Sequence, residues 1–254
     1  ALKGVTALPN LVDELGAPLA TIENRDVVKY DPQANQFQRV FDGSTFGLMH
    51  ANNPALMASI DALHVYPDGR MLMSFRNTTT IPGLLPGNQV SNSDLVLYDA
   101  SQANPFSVVY SAAALQITGN IDALAVDTNG DLLVSTAWVN SFGGDEDVLR
   151  YSQASQSWSV EFDGTALDAS FKPKQADIDA LDVPAVNQLQ ISTLGRNMPL
   201  VQLPDVRDED ILLYNATSVP ALTTQFDMSA LIEAAAANPA YQLPFYVDIN
   251  AMSH

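Results

Sequence analysis

The chain has 254 residues, with 29 acidic against 11 basic side chains, a net charge of -18, 47 % hydrophobic residues and no cysteine. This charge excludes a nucleic-acid binder, which needs clustered Lys and Arg, and disfavours docking on anionic membranes. No apolar run reaches the roughly 18 residues of a membrane span, and the absence of Cys excludes a disulfide scaffold, a Cys-ligated zinc site and a thiol nucleophile. An acidic, Asn- and Gln-rich chain that starts at Ala1 rather than Met suits a processed, secreted or periplasmic bacterial protein.

In chain order, the first element is a helical turn predicted over Asn10–Gly16. Three motifs then recur in one cyclic order. Asp-apolar-x-x-Tyr starts at Asp26, Asp94, Asp147 and Asp210. An aromatic-led segment follows each Tyr, at Phe41-Asp42-Gly43, Tyr110-Ser111-Ala112, Phe162-Asp163-Gly164 and Phe226-Asp227-Met228. Ile-Asp-Ala-Leu starts at Ile60, Ile121 and Ile178, with a weaker copy, Ile249-Asn250-Ala251-Met252, near the C-terminus.

Each unit reads as four short antiparallel strands. Ile-Asp-Ala-Leu opens the first and leads to a tight turn at Asp68-Gly69 or Asn129-Gly130, where Gly takes a positive φ without Cβ strain. Met71–Phe75, Leu132–Thr136 and Leu189–Thr193 form the second strand. The Asp-apolar-x-x-Tyr segment is the third. The stretch ending at the aromatic residue is the fourth, with clear alternation over Trp158–Phe162. A four-stranded antiparallel unit repeated in this way predicts an all-β, four-bladed β-propeller.

The motif Asp residues are spaced by 68, 53 and 63 residues, and by 70 through the two chain ends, so the circle closes on four units. The C-terminal strand ending at Met252 is expected to share one blade with N-terminal strands. That makes residues 1–254 a single domain without free sheet edges at the closure. A short helix is predicted over residues 229–237, Ser-Ala-Leu-Ile-Glu-Ala-Ala-Ala-Ala, stopped by Asn238-Pro239, in the last crossover.

These repeats resemble those of four-bladed or larger β-propellers, including secreted bacterial propeller-repeat proteins with Asp-Ala-Leu, Asp-Gly and Asp-x-x-x-Tyr signatures. The WD and kelch signatures are absent. The resemblance implies the fold and assigns no catalytic residue.

The repeated acids are the first functional candidates. If the first strand lines the axis, Asp61, Asp122, Asp179 and Asn250 form a ring around it, and Ser59, Asn120, Asp177 and Asp248 each precede the neighbouring Ile. Oxygen ligands of this kind suit a hard cation such as Ca²⁺. Alternatively, each Asp accepts backbone N–H bonds from a neighbouring turn. Asp26, Asp94, Asp147 and Asp210 are expected to cap loops or to bond across to the first-strand acids. The pairs Asp145/Glu146 and Asp208/Glu209 are expected to be solvated.

His64 and His254 with Met71, Met73 and Met252 offer a copper-type ligand set. Trp138 falls near a loop, where it could stack on a sugar, and Trp158 falls within a blade. Even repetition of the acids favours a non-enzymatic binding or scaffold module, with a protein, glycan or small-molecule ligand and a hard cation in the channel. A metal- or carboxylate-dependent hydrolase or lyase on the propeller face is the alternative, since the fold hosts both.

Overall fold

The structure, a computed structural model, describes residues 8–226 apart from 9, 32, 139–140, 168–175, 195–202, 204–205, 207–209 and 219. The chain runs through β1 (Leu11–Val12), β2 (Val27–Asp31), β3 (Gln36–Phe41), β4 (Met49–His50), β5 (Ile60–Val65) and β6 (Met71–Phe75). It continues through β7 (Thr79–Thr80), β8 (Gln89–Val90), β9 (Leu95–Tyr98), β10 (Phe106–Tyr110), β11 (Ile121–Val126) and β12 (Leu132–Thr136). The last elements are β13 (Val148–Ser152), β14 (Ser157–Phe162), β15 (Ile178–Ala185), β16 (Gln188–Thr193), β17 (Ile211–Asn215) and β18 (Leu222–Phe226). Among the described residues helix is confined to two single turns, Ala112–Leu115 and Gly164–Leu167, and no helix is long and apolar enough to cross a membrane.

Three sheets have four antiparallel strands each, ordered β5-β6-β9-β10, β11-β12-β13-β14 and β15-β16-β17-β18. Their strands fall on the four predicted segments of each unit. In the remaining unit, β2 and β3 are the predicted third and fourth strands and pair antiparallel. Residues 245–252 and the first seven, which were expected to complete that sheet and to join the chain ends, lie outside the described residues, as does the helix over 229–237.

Two expectations are corrected. Among the described residues there are five sheets rather than four, because β4, β7 and β8 form a separate three-stranded sheet. It is built from the connections 42–59 and 76–94, and strands of two residues are too short to show a period in the sequence. Leu11–Val12 is also a strand, not a helical turn: it pairs parallel with β3. Both side chains are buried, and that burial outweighs a helical propensity that is weak over so few residues.

Three apolar clusters fill the gaps between successive sheets, as face-to-face packing requires. One joins Val27 and Phe41 to Ile60, Met73 and Val96. The next joins Leu72 and Leu95 to Ile121 and Val134, and the third joins Ala123 and Leu133 to Ile178, Ile191 and Leu212.

The joints between sheets repeat as well. Ile60 N–H donates to the Asn24 carbonyl at 3.1 Å, Ile121 to Asn92 at 3.0 Å and Ile178 to Asp145 at 3.0 Å. Each ties the start of a first strand to the loop before the third strand of the preceding sheet. The three first strands also pack on one another, β5 on β11, β11 on β15 and β15 on β5, and so converge on a common axis.

Candidate functional site

The two ends of the sheets differ. One end carries only short turns, at 66–70, 99–105, 127–131, 153–156 and 186–187. Among the described strands, the other carries every long connection, at 13–26, 42–59, 76–94, 111–120, 137–147, 163–177 and 194–210. Binding residues concentrate on long connections held by a rigid frame, so the long-loop end is the candidate functional face. The repeated acids open the first strands at this end.

A β-bulge falls at each of these acids. The register of β5 with β6 shifts between Ile60 and Leu63, that of β11 with β12 between Ile121 and Ala123, and that of β15 with β16 between Ile178 and Ala180. A bulge inserts one residue and re-aims its side chain. It lets Ile and Asp both point inward where strict alternation would separate them. Asp61, Asp122 and Asp179 are only 8, 6 and 5 % exposed.

The structure therefore brings three of the four predicted ring residues to the converging first strands. Asn250 lies outside the described residues. Asn120 Nδ2 donates to Asp61 Oδ2, and at the next junction Asp177 and Asp122 share a hydrogen bond. The residue before each of these two Ile residues thus reaches the acid of the preceding sheet. Burial, then the neighbouring Asp177 and Asp61 carboxylates, push the Asp122 carboxyl well above its ordinary value. Asp177 is pushed up to about 6 by burial and by the Asp145 and Asp61 charges, against the lowering effect of the Asp122 hydrogen bond and Arg76.

Three oxygens in this belt, Asn120 Oδ1, Asp122 Oδ1 and Asp177 Oδ1, are buried with no hydrogen-bond partner among the described residues. Also among the described residues, no three His, Asp or Glu side chains gather into a group that could hold a metal ion.

The third-strand acids cap loops, as one of the two expectations had it. Asp26 accepts from Glu23 N–H at 2.9 Å and Gly43 N–H at 3.1 Å, and Asp94 from Ser91 at 2.7 Å and Ala112 at 2.8 Å. Asp147 accepts from Gly144 at 2.8 Å and Gly164 at 3.0 Å. Each carboxylate clips the start of its third strand to the end of its fourth. Asp210 is buried at the matching position.

Asp145 and Glu146 correct a further expectation. They are 2 and 3 % exposed rather than solvated. The preceding Gly143-Gly144 allows this, since a Cβ on Gly144 would collide with the Glu146 carboxylate. Burial and the nearby Asp145 and Asp147 raise Glu146 to about 7. The sequence signal was that Gly-Gly step, which lets the chain fold back on the acids behind it. Asp208 and Glu209 lie outside the described residues.

The proposed copper ligands do not share a face. His64 pairs opposite Leu72, whereas Met71 and Met73 flank Leu72 on β6 and point to the other side, into the apolar cluster with Phe75. His64 Nδ1 instead accepts from Val126 N–H at 3.4 Å. Met252 and His254 lie outside the described residues. Trp158 packs against Tyr151 and Phe142 and donates Nε1–H to the Leu115 carbonyl at 2.7 Å, in keeping with a place inside a blade. Trp138 is 62 % exposed on the long-loop face, beside Gly119 and close to Asn120.

No known protein family and no curated protein matches the chain. Among solved structures, a structural-genomics protein from Bacteroides thetaiotaomicron superposes with a TM-score of 0.37 at 10 % identity, over 88 % of this chain and 42 % of that one. Virginiamycin B lyase from Staphylococcus aureus gives a TM-score of 0.34 at 6 % identity, over 88 % and 69 %. A luciferin-regenerating enzyme gives 0.36 at 12 %, over 81 % and 57 %. The chain spans less than half the length of the first structures it matches. At these TM-scores the likenesses carry no argument about this chain's fold or function.

Proposed function

We propose that the chain is a closed four-bladed β-propeller that acts as a secreted, non-enzymatic binding module. It takes a protein, glycan or small-molecule ligand on the long-loop face and holds a hard cation beneath it, among the acids of the converging first strands, for which Asp61, Asp122, Asp179 and Asn250 are the candidates read from the repeat. The observation that carries this reading is the belt of buried acids on three converging first strands, directly under the end that carries every long connection. Buried carboxylates that face one another repel, and a divalent ion relieves that repulsion. Four side-chain oxygens are too few for Ca²⁺, so waters or carbonyls complete its shell. The exposed Trp138 ring supports a ligand with a flat apolar face, such as a sugar.

The non-enzymatic part is favoured by the even repetition of the acids and by the burial of Asp122, Asp145 and Glu146. Metal analysis of the purified protein, with thermal melts in CaCl₂ and in chelator, tests the cation. A glycan screen, run beside turnover assays on lactones, phosphoesters and glycosides, tests the binding role. Turnover of any of these substrates overturns the non-enzymatic reading, and a melt indifferent to divalent ions overturns the cation.

A further inference from the structure

Two successive junctions on the axis are built from different chemistry. At the first, Asn120 donates an amide N–H to the Asp61 carboxylate, a bond complete in itself. At the second, the same position is Asp177, and it faces Asp122. Two carboxyl groups satisfy each other either by sharing a proton, as the Asp122–Asp177 hydrogen bond does, or by holding a cation between them. Asp122 is 6 % exposed, and its Oδ1 points to no donor. Asp177 Oδ1 and Asn120 Oδ1 are orphaned in the same way. The three oxygens come from two adjacent sheets whose first strands pack together.

We propose that the hard cation binds at the junction between the second and third four-stranded repeat sheets, between Asp122 and Asp177 with Asn120 Oδ1 as a third ligand, rather than at the centre of a fourfold ring. This rests on the hard-cation reading above and replaces its ligand set. Two carboxylates, one amide oxygen and several waters make a six-coordinate shell suited to Mg²⁺ or, with added waters, Ca²⁺. The site needs no group of three acids. It arises at this junction and not at the preceding one because the Asn120 amide always carries its donor, whereas the Asp122–Asp177 pair has one only while it holds a proton, which the cation displaces. The ion is a clasp between neighbouring sheets, so its loss loosens the axis.

The test is a thermal melt of the full chain in CaCl₂ or MgCl₂ and in EDTA, for the parent, Asp177→Asn, Asp179→Asn and Asn120→Asp. The parent is expected to gain about 5–10 °C at roughly 100-fold excess of free ion over Kd. Asp177→Asn copies the self-sufficient junction. It is expected to melt cooperatively in EDTA, at or above the parent's temperature, and to show no gain with ion. Asp179→Asn is expected to keep the gain. Asn120→Asp creates a second acid–acid junction, and calorimetric titration should then count two ions instead of one.

An undiminished gain in Asp177→Asn, or its loss in Asp179→Asn, overturns this site and leaves the fourfold ring standing. A count of one in Asn120→Asp also overturns it. A parent that ignores both ions overturns the cation reading as a whole.

Discussion

Phe41 meets Tyr98 edge-on with ring centroids 4.9 Å apart, and Phe162 meets Tyr214 at the same 4.9 Å, with interplanar angles of 75° and 77°. Each pair links the last strand of one sheet to the third strand of the next. The repeat therefore copies this contact at two of its joints. Phe162 is almost fully buried, so Phe162→Ala removes a ring from a site with no room to collapse. We expect a loss of about 3–5 kcal/mol in urea denaturation. A loss below about 1 kcal/mol would show that the aromatic joint is dispensable.

The clipping acids give a second prediction. Asp94 accepts two backbone N–H groups, and Asp94→Ala orphans both. An unsatisfied buried donor costs about 1–3 kcal/mol. Asp94→Asn keeps one acceptor oxygen and should retain part of the stability. Chemical denaturation of the two variants should rank parent, Asn and Ala in that order.

The pH dependence has two limbs of opposite sign. Burial pushes the Asp127 carboxyl up, but the Arg150 guanidinium and the N–H groups of Asn129 and Asp131 outweigh it and hold it below the usual range. A depressed carboxyl stabilises the fold above its unfolded pKa, and that stability is lost as pH falls through the folded value. Glu146 runs the other way. Raised from 4.5 to about 7, it binds its proton more tightly when folded, so stability falls as pH rises from about 4.5 to about 7. Glu146→Gln should shrink the upper limb, to which the raised Asp177 and Asp122 also contribute, and leave the acid limb unchanged, as read by melts from pH 3 to 8.

The proposed closure of the ring supplies a fourth prediction. If the ring closes as proposed, the joints made by Ile60, Ile121 and Ile178 would be joined by a fourth at Ile249. Deleting residues 245–254 would remove it together with Phe245, Val247 and Met252, each worth roughly 1.5–3 kcal/mol if fully buried. That sum approaches the stability of a typical domain. A truncated chain that melts cooperatively within a few degrees of the intact one would sink the closed ring.

Much of this architecture was legible in the sequence. The four strand segments of each unit stood out because turn residues punctuate them and because Asp-apolar-x-x-Tyr keeps its spacing. For Asp26, Asp94 and Asp147 the sequence left two roles open, and the structure shows the loop cap. The bulge at Asp61, Asp122 and Asp179 was not, since period-two reading has no place for an extra residue. The sheet of β4, β7 and β8 was hidden by strands too short to alternate. Asp145 and Glu146 misled because charge usually marks solvent, and only the adjacent glycines hinted otherwise. The difference between Asn120 and Asp177 was visible, but its meaning required knowing that each faces the acid of the preceding sheet.

The joints between sheets accept their hydrogen bond at a main-chain carbonyl, at Asn24, Asn92 and Asp145. A connector of this kind is blind to the side chain above it. After a unit is duplicated, its copies can drift at these positions without loosening the assembly. The clipping Asp two residues later has no such freedom, because its own carboxylate makes the bonds. One end of the molecule can thus change by substitution and insertion, as the second and third copies differ at Trp138 and Asp177, while the frame beneath stays the same.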